Sequence, residues 1–200
     1  MSVLIQTPAL DQTQKWPTGC ESVTAVMLLA ALGRPVTVEE WVENAIECRP
    51  FYEKDGALCG PDPREYFAGR PEEPSGMGCY PPVLVKGLAR CLGGGYRVLD
   101  ATGAPMERLL KSLDSGIPVP FWATIGLKEA IEGPSWRLEN GETFTWRSNE
   151  HCMLLVGYDE ESYWFNDPLN AANGPVAYPK ALVEQRHAEQ YGMAVLVERV

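Results

Sequence analysis

The sequence lacks any run of about 18 apolar residues, so no transmembrane helix is expected. It is poor in positive charge, with 17 Lys and Arg against 27 Asp and Glu and a net charge of −10. No basic patch interrupts that acidity, so neither nucleic acid nor an anionic membrane surface is an expected partner; both would be repelled. Six cysteines are present, but none are spaced two to four residues apart as in a zinc knuckle. No structural metal and no cofactor are therefore expected. Histidine is scarce: only His151 and His187 occur, which leaves few candidates for a general base. The opening Met1-Ser-Val-Leu-Ile-Gln-Thr-Pro has no positive segment followed by a long apolar one. A cytoplasmic location is expected on that ground, or a secreted one if the sequence is a trimmed mature form.

What is there is the composition of a folded chain. Its 200 residues, 45% hydrophobic and 22% charged, suit one globular domain over 1–200 with a full core and a cleft. Seventeen prolines and nineteen glycines predict long turns. A chain of this size does not need disulfide staples, so mostly free thiols are expected. Cys59 and Cys79 lie in loop-rich sequence where one bridge could form.

After an extended lead-in over residues 1–13, the segment CESVTAVMLLAAL (20–32) has the strongest helical pattern. A polar stripe through Glu21 and Thr24 opposes Val23, Val26, Met27 and Ala30, and Gly33 and Pro35 end it. Its nearly all-round apolar second half predicts a buried central helix. Thr37 followed by Glu39 and Glu40 announces a second helix to about Cys48. Residues 49–80 read as a long ordered loop. Helices are predicted over 81–92, 106–115 and about 180–190. Strands are predicted over 96–99, 117–124, 143–148, 152–158, 162–166, 176–178 and 193–200, with 152–158 and 162–166 forming a hairpin. Helices mostly first and strands mostly later is the order of an α+β domain.

Cys20 stands at the start of that first helix, where unpaired backbone N–H groups and the helix dipole favour a thiolate. Gly19 before it is expected to allow close backbone approach and unusual angles. Gln14, six residues upstream, can set its amide beside the Cys20 N–H as a two-donor oxyanion hole. His151 opens an apolar strand, and Asp167 follows the partner strand of the same hairpin. A hairpin returns the second residue beside the first, where a carboxylate accepts the imidazole N–H and fixes the tautomer. Alone, each has a structural reading: a buried thiol, a satisfied histidine, a turn-forming Asp before Pro168. Together they supply nucleophile, oxyanion donor, base and orienter for acyl transfer.

The chain resembles the C39-like cysteine peptidases of the papain-like superfamily. The resemblance lies in Gln14…Pro17-Thr18-Gly19-Cys20-Glu21-Ser22-Val23 and in Gly60-Pro61-Asp62-Pro63…Gly78-Cys79-Tyr80-Pro81-Pro82. It continues in His151-Cys152-Met153-Leu154-Leu155-Val156-Gly157-Tyr158-Asp159 and Asn166-Asp167-Pro168-Leu169. It implies a papain-like fold, a nucleophile helix packed on a C-terminal antiparallel sheet. It also implies Cys20 as nucleophile, His151 as base, Asp167 as third member and Gln14 as oxyanion donor. Cleavage of double-glycine leaders is not implied.

The expected function is a thiol hydrolase whose partner is a peptide or amide substrate. Two alternatives remain: an acyltransferase on the same site, and a non-catalytic binding protein that keeps the fold. Around the constellation, Glu21 and Glu150 are expected as solvated carboxylates, with binding of a basic substrate group as the alternative. His187, in a charged helical stretch, is expected at the surface. Most tryptophans are expected in the core, with Trp16 lining the cleft. The 60–82 loop is expected as a rigid lid or substrate wall.

Overall fold

The structure, a computed structural model, describes residues 2–200. Met1, on which the cytoplasmic expectation leans, lies outside the described residues. A short strand β1 (Val3–Leu4) leads to helix α1 (Cys20–Ala31), then α2 (Val38–Asn44). Strands β2 (Cys48–Arg49), β3 (Tyr52–Lys54), β4 (Ala57–Cys59) and β5 (Phe67–Ala68) precede α3 (Pro81–Leu92). Then follow β6 (Tyr96–Asp100), α4 (Met106–Asp114), β7 (Val119–Thr124), β8 (Ile131–Arg137) and β9 (Thr143–Ser148). The chain closes with β10 (Glu150–Tyr158), β11 (Ser162–Asn166), β12 (Val176–Pro179), α5 (Lys180–Glu189) and β13 (Val195–Arg199). No described helix is long and apolar enough to cross a membrane.

The central element is β10. It pairs antiparallel with β7 along 150–155, with β11 along 154–158 and with β1 at 157–158. The β10–β11 hairpin is the one the alternating pattern predicts. Period-two alternation sorts β10 between two cores. Cys152, Leu154 and Val156 pack with α1, α2 and α3 in one cluster, whereas Met153 and Leu155 join Phe121, Phe165 and Val183 in the other. Helix α1 lies on the first face and is buried from Cys20 through Leu29. Its Thr24 hydroxyl donates to the Cys152 carbonyl at 3.1 Å, so the polar stripe meets β10, not water. This is the α+β, papain-like arrangement of a helix beginning at Cys20 packed on an antiparallel sheet.

Thr37 caps α2 through a reciprocal capping box with Glu40. That helix ends at Asn44, short of the expected Cys48. The stretch 49–80 departs from the loop reading: β3 and β4 form a hairpin whose β4 joins β8 and β9 in a second sheet. Its strands have two or three residues each, too short for periodicity to register. β8 was not legible because Gly133 and Pro134 interrupt it, and its register shifts between Glu132 and Ser135. Trp136 is buried in this sheet and its indole N–H donates to the Pro61 carbonyl at 2.9 Å. All six cysteines are unbonded, Cys59 and Cys79 included.

Candidate active site

The His–Asp pair arises from the hairpin. His151 is the second residue of β10 and Asp167 is the first beyond β11. His151 Nε2 and Asp167 Oδ1 are 2.7 Å apart, both residues buried. The Leu169 N–H also donates to Oδ1 at 2.9 Å, and the Tyr178 hydroxyl approaches Oδ2 at 3.4 Å. Burial alone would raise the Asp167 carboxyl. The hydrogen bond and charge of His151, with the Leu169 N–H, outweigh it and bring the group below its usual range. Engagement of Nε2 leaves Nδ1 as the ring nitrogen open to a second partner.

Cys20 begins α1, and Cys20, His151 and Gln12 line one cleft of about 300 Å³ with Met77, Ile125 and Trp146 among its walls. Gly19, at the helix N-cap, has an ordinary φ of −103°, so the expectation of unusual angles is corrected. The close approach holds: a Cβ there would stand 3.0 Å from Trp16 Cβ and 3.1 Å from Pro71 Cβ. The thiol makes no hydrogen bond to the histidine. It donates to Glu21 Oε2 at 3.3 Å and accepts from the Cys152 N–H at 3.5 Å. Burial, then the charges of Glu21 and Glu150, push it well above its ordinary range, against the lowering expected from a helix start.

Of the two glutamines nearest before Cys20, Gln14 is exposed, and its amide reaches only the neighbouring Thr13 hydroxyl, at 3.5 Å. Gln12 lies at the cleft instead. The cause is a turn in which Lys15 and Trp16 N–H groups both donate to the Gln12 carbonyl. That turn faces Gln12 inward, where its Nε2 donates to the Trp16 and Pro17 carbonyls at 3.3 and 3.2 Å. The Gln12 N–H also donates to the Pro168 carbonyl at 3.0 Å, tying this segment to the residue after Asp167. Counting residues back from the cysteine could not choose between two glutamines two apart.

Three further expectations change. Glu21 and Glu150 are not solvated; both are buried, at 0% and 7% exposure. His187 is not at the surface: it is buried, stacked on Phe121 at 3.9 Å, with Nδ1 2.8 Å from the Trp122 carbonyl. Trp146 lines the cleft, whereas Trp16 is buried in the core beside it. From the 60–82 loop, Gly76 and Met77 form cleft wall. A larger cavity, about 500 Å³, lies elsewhere, between α4 and β13, and has neither cysteine nor histidine among its lining residues.

A cysteine at a helix start, opposite a histidine and carboxylate carried by an antiparallel hairpin, places the fold in the papain-like class. The Peptidase_C39 like family model matches residues 4–195, and the chain belongs to that family. A crystal structure of a candidate C39-like peptidase from Bacillus anthracis superposes with a TM-score of 0.84 at 26% identity, covering 100% of this chain and 98% of that one. The uncharacterized protein YvpB of Bacillus subtilis (strain 168) is 29% identical over 155 residues, 78% of this chain. The match spans 60% of YvpB's own length.

Proposed function

We propose that the protein is a cysteine peptidase that cleaves a peptide or amide bond through a thioester on Cys20. The observation that carries this reading is a single cleft lined by Cys20 and by a histidine paired to Asp167 at 2.7 Å. In the reaction the S–H bond swings from Glu21 towards His151, the sulfur staying in place, and passes its proton to Nδ1. The thiolate sulfur attacks the carbonyl carbon, and the electron pair of the C=O bond moves onto oxygen. Gln12 Nε2, on releasing one of its two long carbonyl hydrogen bonds, and the Cys20 backbone N–H are the donors we assign to that oxyanion, Gln12 replacing Gln14 because it alone of the two lines the cleft. The C–N bond then breaks, the amine leaving with the proton from His151. Water, deprotonated by the same nitrogen, hydrolyses the thioester and frees the acid. Asp167 keeps the ring oriented through Nε2 and faces the imidazolium charge. Apolar walls at Met77, Ile125, Trp146 and Leu169 favour a substrate with an apolar side chain beside the scissile bond.

The test is a peptide library digested by the wild type and by Cys20→Ala, with products read by mass spectrometry. Cleavage by the first and none by the second is expected. Gln12→Ala should lower kcat/KM by about 10²-fold, while Gln14→Ala leaves it within twofold or so. Equal loss in both glutamine variants would refute the oxyanion assignment. In parallel, iodoacetamide at pH 6 should modify Cys20 faster than Cys48 or Cys91. Equal rates would sink the nucleophile reading itself.

A further inference from the structure

The chemistry above leaves an acidic cluster beneath the nucleophile unused. Glu21, Glu150, Cys79 and Cys152 are all buried around Cys20. The Cys20 sulfur and one oxygen each of Glu21 and Glu150 lie within 4.8 Å of one another. Among the described residues no basic side chain pairs with either glutamate. Glu150 Oε1 is buried with no hydrogen-bond partner. Two ionised carboxylates in such a place would cost several kcal/mol each, so the cluster holds protons instead.

Glu21 in particular is cradled. The Cys79 N–H donates to Oε1 at 2.7 Å and the Cys20 thiol donates to Oε2 at 3.3 Å. Gly78, at φ +132°, makes room: a Cβ there would stand 2.2 Å from Glu21 Oε1. With both oxygens occupied by hydrogen donors, the site suits a shared proton better than a metal ion.

We propose that Glu21 is a further catalytic residue: as a carboxylic acid it donates a hydrogen bond to the Cys20 thiolate, and once ionised it holds Cys20 as an unreactive thiol. This rests on the reading of Cys20 as nucleophile. The same Sγ–Oε2 contact serves both states with its direction reversed. In the acid state Glu21 keeps its proton, the thiol proton moves to His151, and the Oε2–H donates to sulfur. In the basic state Glu21 has lost its proton to solvent and Oε2 accepts the S–H. One proton separates the two.

The groups acting on Glu21 fit that account. Burial raises its carboxyl to about 7, against the opposing Cys79 N–H. Burial and the charge of Glu21 raise Glu150 well above its usual range, so it stays neutral beside Glu21. Besides Cys20 itself, the remaining titratable neighbours are Cys79 and Tyr80 before and at the cap of α3, and Cys152 on β10. All three are raised by burial and so uncharged near neutrality.

The experiment follows iodoacetamide modification of Cys20 by mass spectrometry from pH 5 to 9, in the wild type and in Glu21→Gln. An ordinary thiol reacts faster as pH rises; Cys20 is expected to peak near pH 6 and slow about tenfold by pH 8. Glu21→Gln keeps an acceptor for Cys79 and a donor for sulfur without the titration, and should abolish the slowing. Identical profiles in the two proteins would overturn the proposal, as would a structural effect that alters Tm alone. Carbon-13 NMR of glutamate carboxyls in the wild type gives a reading that needs no variant. A buried carboxyl titrating near pH 7 supports the proposal, and none between pH 6 and 8 refutes it. If Cys20 reacts no faster than Cys48 or Cys91 at any pH, the nucleophile reading fails first, and this result is distinct from both.

Discussion

The two histidines of this chain touch the same strand and differ in everything that matters for chemistry. His151 and His187 are both buried, at 1% and 6% exposure, and both lie against β7. His151 pairs with Ala123 of β7 through its backbone, which leaves its side chain at the end of the sheet between a cleft and a carboxylate. His187 comes from α5 on the other side, stacks on Phe121, and gives one nitrogen to a backbone carbonyl. Its Nε2 has no partner, and burial lowers its pKa. Burial alone therefore does not make a functional histidine. A charged acceptor on one nitrogen and an open cleft at the other separate the two.

The widest gap should be kinetic. His151→Ala is expected to cost about 10³-fold in kcat/KM on any peptide the wild type cleaves, and His187→Ala no more than a few fold. Comparable losses would erase the distinction. Stability should reverse the order: removing the His187 ring from its stack leaves a cavity and should cost about 2–3 kcal/mol, read from the urea midpoint.

The pH dependence of stability sharpens the contrast with the acidic cluster. His187 has a folded pKa below its unfolded one, so the unfolded state binds more protons in that window. Its contribution is whole above about pH 6.5 and declines as pH falls, by up to about 1.4 kcal/mol per unit. Glu21 has the opposite sign. Its folded pKa is raised to about 7, so its contribution is whole below about pH 4.5 and is lost as pH rises through 7. Urea denaturation at pH 5.5 to 8 should show a shallower acid-side loss in His187→Ala and a gain at pH 8 in Glu21→Gln. The reverse slopes would contradict these burial arguments. Smallest of all is Asp167→Asn. An amide oxygen can still accept from His151 and Leu169 while the NH₂ faces the Tyr178 hydroxyl, so steady-state rates should fall less than about tenfold.

Much of the frame was legible. The buried helix from Cys20, the hairpin and the helix start at Thr37 follow from periodicity and end signals, which act over a few residues. The placing of His151 beside Asp167 was legible too, because a hairpin converts sequence spacing into spatial proximity. The second sheet was not, since two- and three-residue strands owe their pairing to distant partners. Nor were the burial of His187 and of the two glutamates, because charged neighbours along the chain say nothing about what packs over it.

By itself the sequence determined that Cys20 begins a buried helix and that His151 and Asp167 share a hairpin, because local interactions decide both. Only the tertiary structure decided that Gln12, not Gln14, lines the cleft, that the thiol rests on Glu21, and that Glu150 closes an acidic cluster beneath it. Those contacts join residues up to 132 positions apart, as between Cys20 and Cys152. The physical reason is desolvation: a carboxylate or thiol acquires its chemistry from what surrounds it, and the surroundings are assembled by the fold.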